Sequence, residues 1–144
     1  MTPSFASAVE VQSRLMLRAR DAMDRAYAQP LDIPMLAEIA CCSPAHFIRA
    51  FRATYGETPH RYLQRRRVER AMFLLRTTDR SVTDISLDVG FASLGTFSRT
   101  FREIVGVTPS AHRAAGVAEP VPTCFVMAWM RPSSFGEATP RRTT

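Results

Sequence analysis

The sequence predicts an all-α fold of about seven helices, in which two helix-turn-helix units are joined by one long helix. Three observations predict it. A segment repeats after fifty residues, serine or threonine followed by proline stands at several expected helix starts, and apolar residues recur at helical spacing. With 144 residues, 46% hydrophobic and 22% charged, the chain has the size and composition of one compact globular domain.

The repeat aligns residues 43–59 with residues 93–109 without a gap, and eight of the seventeen positions are identical. Two similar pairs extend the same register upstream, Met35 with Ile85 and Ile39 with Val89. A match of this length does not arise by chance, so one structural unit is predicted to occur twice.

The first predicted helix covers residues 8–28 and ends ahead of Pro30. Its inward side is expected to hold Leu15, Ala19, Met23 and Tyr27. A short second helix begins near Pro34, a residue tolerated in a first turn, and ends near Cys41. The apolar residues at helical spacing in it are Met35, Leu36, Ile39 and Ala40.

The third helix has Ser43 as its predicted N-cap and Pro44 as its first residue, and Gly56 ends it. Its buried stripe is predicted to contain Phe47, Ala50, Phe51 and Tyr55. Arg49 and Arg52 then lie on the opposite, exposed side. Two short helices joined by a tight turn, the second carrying arginine outward, are typical of a helix-turn-helix, here over about residues 33–56.

A linker helix over about residues 58–77 follows, opened by Thr58 and Pro59. About nineteen residues span roughly 28 Å, close to the spacing of about 34 Å between successive major-groove faces. In a helix-turn-helix that binds DNA, the second helix is the recognition helix and enters the major groove. If both repeats bind DNA in this way, we expect their recognition helices to face the same side of a duplex.

The second motif is predicted over about residues 82–106, with a helix over residues 84–89, a turn at Gly90 and a recognition helix over residues 93–105. A brief final helix runs from Pro109 to about Ala115 and stops at Gly116. Residues 117–144 form a Pro-rich tail that is predicted to be mostly irregular. In this tail, the apolar residues 124–130 are expected to form a strand or to pack on the core.

The charge of the chain favours an anionic partner. All 19 basic residues are arginine, and they exceed the 13 acidic residues by six. Residues 43–76 contain eight arginines and two glutamates, so this window holds the whole excess. Arginine binds phosphate and guanine in a bidentate manner, and such a window is typical of nucleic-acid binding, although a solvated helix face is the alternative.

Other function classes find little support. Three cysteines, two of them adjacent at Cys41 and Cys42, form no disulfide framework and indicate a reducing cytoplasm. No signal peptide or membrane span is predicted. We predict no metal and no cofactor, since His46, His60 and His112 lack ligand spacing with the thiols. A phosphate-binding loop and a catalytic triad are absent, so no enzyme is predicted.

The chain resembles the AraC/XylS transcription regulators between about residues 15 and 115. The most specific stretches are DISLDVGFAS at residues 84–93, FSRTFR at residues 97–102 and GVTPS at residues 106–110. The resemblance implies a double helix-turn-helix DNA-binding domain, here residues 8–116, and a similarity to stand-alone members that bind DNA as monomers. It implies base contacts from the outward residues Ala45, His46, Ile48, Arg49, Leu94, Gly95, Thr96 and Arg99.

Further arginines are assigned by position. Arg52 and Arg102 lie one turn further along the recognition helices and are expected to contact phosphate, as are Arg61, Arg65 and Arg66. Arg67 shares a face with apolar residues, so an ion pair with a carboxylate is favoured over DNA contact. The paired phenylalanines at positions 47, 51, 97 and 101 are predicted to be core. Cys41 and Cys42 are predicted to be small buried residues, with oxidant sensing as the alternative.

The sequence thus predicts a cytoplasmic, nucleoid-associated regulator that binds double-stranded DNA at two successive major-groove segments. RNA polymerase is a further expected partner. Affinity is expected to depend mainly on the first motif, because residues 77–116 carry no net charge. The alternative is a protein-interaction module that acts on RNA polymerase or another regulator, which Leu94, Gly95 and the apolar segment 124–130 favour.

Overall fold

The computed structural model describes residues 7–116, and in this range the chain forms seven α-helices and no strand. The helices are α1 (Ala8–Arg25), α2 (Ile33–Ile39), α3 (Pro44–Tyr55), α4 (Pro59–Thr77), α5 (Val82–Asp88), α6 (Leu94–Val105) and α7 (Pro109–Ala115). The predicted all-α class is confirmed. The first helix ends three residues before its predicted end. The tail with its apolar segment lies outside the described residues. No helix within 7–116 is long and apolar enough to cross a membrane.

Side-chain capping fixes where these helices begin. The hydroxyl of Ser43 accepts a hydrogen bond from the His46 backbone N–H, and the hydroxyl of Ser93 does the same for Thr96. Equivalent caps stand before the other described helices at Ser7, Asp32, Thr58, Ser81 and Thr108. Each cap satisfies an otherwise unpaired backbone donor and contributes about 1 kcal/mol. Ser43, Thr58, Ser93 and Thr108 predicted their helix starts to within a residue, whereas α5 begins at Val82, two residues before its predicted start, because Ser81 caps it.

The described chain divides into two compact units. The first contains residues 7–26 and 31–61, in which α1, α2 and α3 pack against one another. Phe47 and Phe51 are fully buried here, with ring centroids 5.6 Å apart. The buried face of α1 differs from the predicted one: Met16 and Arg20 are buried beside Ala19 and Met23, whereas Leu15 is only half-buried.

The second unit contains residues 27–30 and 62–116. Its core is a cluster of apolar side chains from α4, α5 and α6, in which Phe97 and Phe101 are fully buried. Phe91 packs edge-on against Phe97 at 5.2 Å, and His112 of α7 packs edge-on against Phe101 at 5.6 Å. All four paired phenylalanines are core, as predicted.

The two motifs differ by one residue in their turns. Four residues separate α2 from α3, and five separate α5 from α6. The Cys42 N–H closes the first turn on the Ala37 carbonyl, and the Phe91 N–H closes the second on the Ser86 carbonyl, both at 3.0 Å. Helices α2 and α5 are therefore related by forty-nine positions, not fifty.

The predicted pairing of Met35 with Ile85 and of Ile39 with Val89, at an offset of fifty positions, is therefore wrong. Met35 and Ile39 are 47% and 37% exposed, whereas Ile85 and Val89 are buried, so these pairs are not equivalent. The buried partners are Leu36 for Ile85 and Ala40 for Val89. The ungapped alignment missed the shift because the left-handed residue of the turn is Gly90 in one copy but Cys41, with φ of 55°, in the other.

Arg67 holds residues 27–30 in place within the second unit. Its Nε donates to the Tyr27 carbonyl oxygen at 2.6 Å and its Nη2 donates to the Gln29 carbonyl oxygen at 2.9 Å. Its guanidinium also lies 6.0 Å from the centre of the Phe91 ring. Arg67 is thus structural, as favoured, but the predicted carboxylate partner is wrong, because backbone carbonyls take its place. Burial lowers the pKa of this guanidinium.

Arg113 of α7 connects the last described helix to the segment between α4 and α5. Its side chain donates to the carbonyl oxygens of Leu75, at 3.2 Å, and Thr78, at 3.4 Å, and also to that of Arg80. These carbonyls lie at the end of α4 and in the segment before α5, where no helical N–H reaches them. One guanidinium therefore ties three carbonyls of this connection to the last described helix.

Replacement of Gly90 by alanine should destabilise the second unit more than replacement of Gly106. Both glycines have positive φ, 100° and 92°, so each variant carries backbone strain of about 1 kcal/mol or more. A Cβ at Gly90 would also lie 2.9 Å from Arg67 Nε and 3.0 Å from the Ala28 carbonyl oxygen, whereas a Cβ at Gly106 meets nothing within 4 Å. Urea unfolding should show an extra loss of about 1 kcal/mol or more in Gly90→Ala. Equal losses would contradict the close approach.

Stability should fall as the pH drops from about 7.5 to 5.5. Burial, and next the charge of Arg76, lower the pKa of His112 below its ordinary value of 6.5, against a hydrogen bond with the Met72 backbone. The unfolded chain therefore binds the proton more readily, so this contribution is present above pH 6.5 and is lost as the pH falls. In thermal unfolding, His112→Gln should flatten the profile over this window, and the exposed His60→Gln should not. An unchanged slope in His112→Gln would contradict the assignment.

Candidate nucleic-acid interface

Helix α3 presents one exposed face, because the other is fixed in the core. Phe47, Ala50 and Phe51 are buried. The predicted base-contacting residues of this helix all lie on the exposed face, namely Ala45, His46, Ile48 and Arg49. Arg52 is also exposed, one turn beyond Ile48. The face offers an imidazole, a guanidinium and an apolar side chain near the start of the helix, and a second guanidinium in its last turn.

Helix α6 repeats this arrangement with different chemistry. Phe97, Thr100 and Phe101 are buried at the positions that correspond to the buried stripe of α3. The exposed face carries the predicted residues Leu94, Gly95, Thr96 and Arg99, followed by Arg102. Arg49 and Arg99 therefore occupy the same position on two helices of twelve residues each.

Four arginines on these faces are available for a ligand. Among residues 7–116, no hydrogen bond or ion pair engages the guanidinium of Arg49, Arg52, Arg99 or Arg102. A guanidinium that no protein group engages keeps its donors for an anion or a base edge. These four are consequently the strongest candidates for contact with a polyanion.

Arg65 departs from the expected phosphate contact. It is 5% exposed, its Nη1 lies 2.6 Å from Glu69 Oε1, and its guanidinium lies 5.2 Å from the centre of the Tyr62 ring. Arg66 is half-buried and binds the other oxygen of the same carboxylate at 2.9 Å. Burial raises the pKa of the Glu69 carboxyl, and the two arginines oppose that effect. Arg65 is therefore part of a buried ion cluster, and Arg66 shares its carboxylate.

Three other arginines of α4 are less buried than Arg65. Arg61 is half-buried, and Arg70 and Arg76, which no predicted contact involved, are exposed. Arg70 lies 4.9 Å above the ring of the exposed Phe73. The sequence could have distinguished the buried Arg65 from the exposed Arg70. Arg65 lies three and seven residues before the buried Val68 and Met72 and so shares their face, whereas Arg70 lies two residues from each of them.

The adjacent cysteines of the first turn are more open than predicted. Cys41 is exposed and Cys42 is half-buried, so the expectation of buried residues is wrong. The turn places Cys41 outside the core, in a left-handed conformation. Burial, and next the neighbouring Cys41, raise the pKa of the Cys42 thiol, which disfavours its reactive thiolate. Within the described range, no three histidine, cysteine or acidic side chains are grouped to hold a metal ion.

Comparisons with known proteins agree on one family. A family model described as a helix-turn-helix domain matches residues 36–115. The regulatory protein SoxS of Salmonella typhimurium is 38% identical over 91 residues, which are 63% of this chain and 85% of that protein. An uncharacterized HTH-type transcriptional regulator of Haemophilus influenzae is 40% identical over 81 residues, which are 56% of this chain but only 27% of that protein.

Two solved structures resemble the fold closely. An AraC-type transcriptional regulator from Chromobacterium violaceum has a TM-score of 0.68 and 29% identity, over 74% of this chain and 96% of that one. The DNA-binding domain of AdpA, a global transcriptional factor solved in complex with a target DNA, has a TM-score of 0.67 and 32% identity, over 69% of this chain and 90% of that one.

Removal of Arg65 should lower stability, because it leaves the buried Glu69 with a weaker partner. We expect Arg65→Ala to lower the free energy of unfolding by about 2 kcal/mol or more. Arg52→Ala, which removes an exposed guanidinium, should stay within about 0.5 kcal/mol of the parent. Chemical denaturation of both variants checks this. If Arg65→Ala were as stable as Arg52→Ala, the buried ion cluster would contribute nothing.

Proposed function

Because this chain belongs to the AraC family of helix-turn-helix DNA-binding transcription regulators, we propose that α3 and α6 enter two successive major-groove segments of one double strand. The two helices are not identical, so the site is asymmetric and not a palindrome. A single chain supplies both helices, and it binds as a monomer. The half-sites lie about one helical turn apart.

One observation carries this proposal: Arg49 and Arg99 stand at matching exposed positions on two capped helices of equal length. A guanidinium in this position can donate to O6 and N7 of guanine. In each helix, the buried phenylalanine pair directs the opposite face outward. The repeat therefore supplies the same type of base contact twice.

The remaining contacts follow from position and chemistry. Ala45, His46 and Ile48 surround Arg49 on α3, and we assign them to the first groove segment. Arg52 and Arg102 are assigned to phosphate, with Arg61 as a weaker candidate. Leu94, Gly95 and Thr96 are assigned to the second segment. The two motifs thus differ in chemistry at every outward position of the first turn.

The setting of this function is also a proposal. We place the protein in the cytoplasm with the nucleoid, as a regulator without catalytic activity, metal or cofactor. Contact with RNA polymerase is a second candidate function, and a specific observation favours it. Met35 and Ile39 lie four residues apart on α2 and are 47% and 37% exposed, which leaves an apolar strip along this helix. A strip of this kind fits a protein partner.

The test is selection of bound sites from random double-stranded DNA, followed by affinity measurements on the winning site. Arg49→Ala and Arg99→Ala should each weaken specific binding by about 1 to 3 kcal/mol and relax the preference at different base pairs. Arg14→Ala, an exposed arginine of α1, is the matched control and should leave the selected sequence unchanged.

Salt titration separates base contacts from phosphate contacts. Affinity should fall steeply with salt, and Arg52→Ala should reduce the slope of log affinity against log salt by about one. A selected site that is a palindrome, or one whose preference survives loss of Arg99, would contradict the reading of two segments by two different helices.

A further inference from the structure

The side chains in the first turn of α6 offer little hydrogen-bonding chemistry to a base. Leu94 is apolar and 40% exposed, and Gly95 has no side chain. The Thr96 hydroxyl oxygen accepts a hydrogen bond from the Ser93 hydroxyl at 3.0 Å, which leaves its O–H as the one side-chain donor of this turn. At the corresponding position of α3, His46 is exposed and its imidazole is not part of the cap.

Gly95 leaves open space where a side chain would otherwise stand. A Cβ at this position would meet nothing within 4 Å, so packing within the protein does not require glycine here. The backbone does not require it either, because Gly95 is not among the residues with positive φ. The result is a shallow, apolar surface beside Leu94, with room for a group that comes close to the backbone.

A major groove presents few groups that fit such a surface. The base edges are donors and acceptors, with one exception, which is the 5-methyl group of thymine. A methyl group gains free energy from contact with an apolar side chain and needs no hydrogen bond. The Leu94 side chain offers no donor or acceptor to a base edge, and Gly95 has no side chain to offer one.

We propose that Leu94 and Gly95 make the second motif a reader of pyrimidine 5-methyl groups, so that α6 selects thymine by its methyl group rather than by hydrogen bonds. The inference rests on the proposed function, in which α6 enters the major groove. The same surface accepts 5-methylcytosine, which carries the same group at the same place. Arg99, one turn further along, adds the hydrogen bonds of the segment.

The test replaces each thymine of the selected site, one at a time, by deoxyuridine, which removes only the methyl group. Fluorescence anisotropy with the full chain should show a loss of about fourfold at one or two positions, the value expected for one buried methyl group. Exchange of that T·A pair for 5-methylcytosine·G should retain more affinity than exchange for unmethylated C·G.

Two variants link the effect to this turn. Leu94→Ala should bind thymine and deoxyuridine sites nearly equally, because the apolar partner is gone. Gly95→Gln should also lose the methyl dependence, since its amide would occupy the space, and it should fold because a Cβ there has room. Arg49→Ala is the control, which should weaken binding while keeping the deoxyuridine effect.

The outcomes separate the two levels of the proposal. If all deoxyuridine sites bind within about 1.5-fold of the parent, or if Leu94→Ala keeps the full effect, the methyl reading is overturned while the dependence on Arg49 and Arg99 stands. If no specific site is selected, or if loss of either arginine changes nothing, the proposed function fails and this inference fails with it.

Discussion

Each recognition helix is oriented by a pair of phenylalanines four residues apart. Phe47 with Phe51, and Phe97 with Phe101, are fully buried, and both pairs have ring centroids 5.6 Å apart. A helix anchored by two rings on one stripe cannot rotate about its axis without exposing one of them to water. The outward residues follow from this constraint, so the arginines are placed by the core and not by contacts of their own.

Much of the fold follows from short-range sequence patterns, namely capping residues and the spacing of apolar residues. Ser43 and Ser93 are followed by buried apolar residues at helical spacing, Thr108 is followed by proline, and each of the three begins a helix at the predicted place. Part of what escaped prediction depends on contacts distant in sequence. Arg67 meets carbonyls 38 and 40 residues away, and no charge pattern identifies a backbone partner. The extra residue of the second turn was hidden because Cys41 takes the left-handed role that glycine takes elsewhere.

The arginine-rich window divides into two groups with opposite roles. Arg65 and Arg67 are turned inward, to a carboxylate and to carbonyls, whereas Arg49 and Arg52 stay outside. A count of charges treats them alike, so the window overstates the positive charge that α4 offers to a ligand. Burial distinguishes them, and it follows the helical spacing from the apolar residues of each helix. The outward face of each recognition helix was predictable for the same reason, while the chemistry that each residue performs there stays a prediction.

The connection held by Arg113 bears on the order in which the chain folds as it leaves the ribosome. The described residues of the first unit end at residue 61, so its aromatic pair can pack while translation continues. The carbonyls of Leu75, Thr78 and Arg80 must wait for a guanidinium that is synthesised more than thirty residues later. The second unit is therefore completed last. A nascent chain that stalls before α7 lacks the Arg113 hydrogen bonds that hold the segment between α4 and α5.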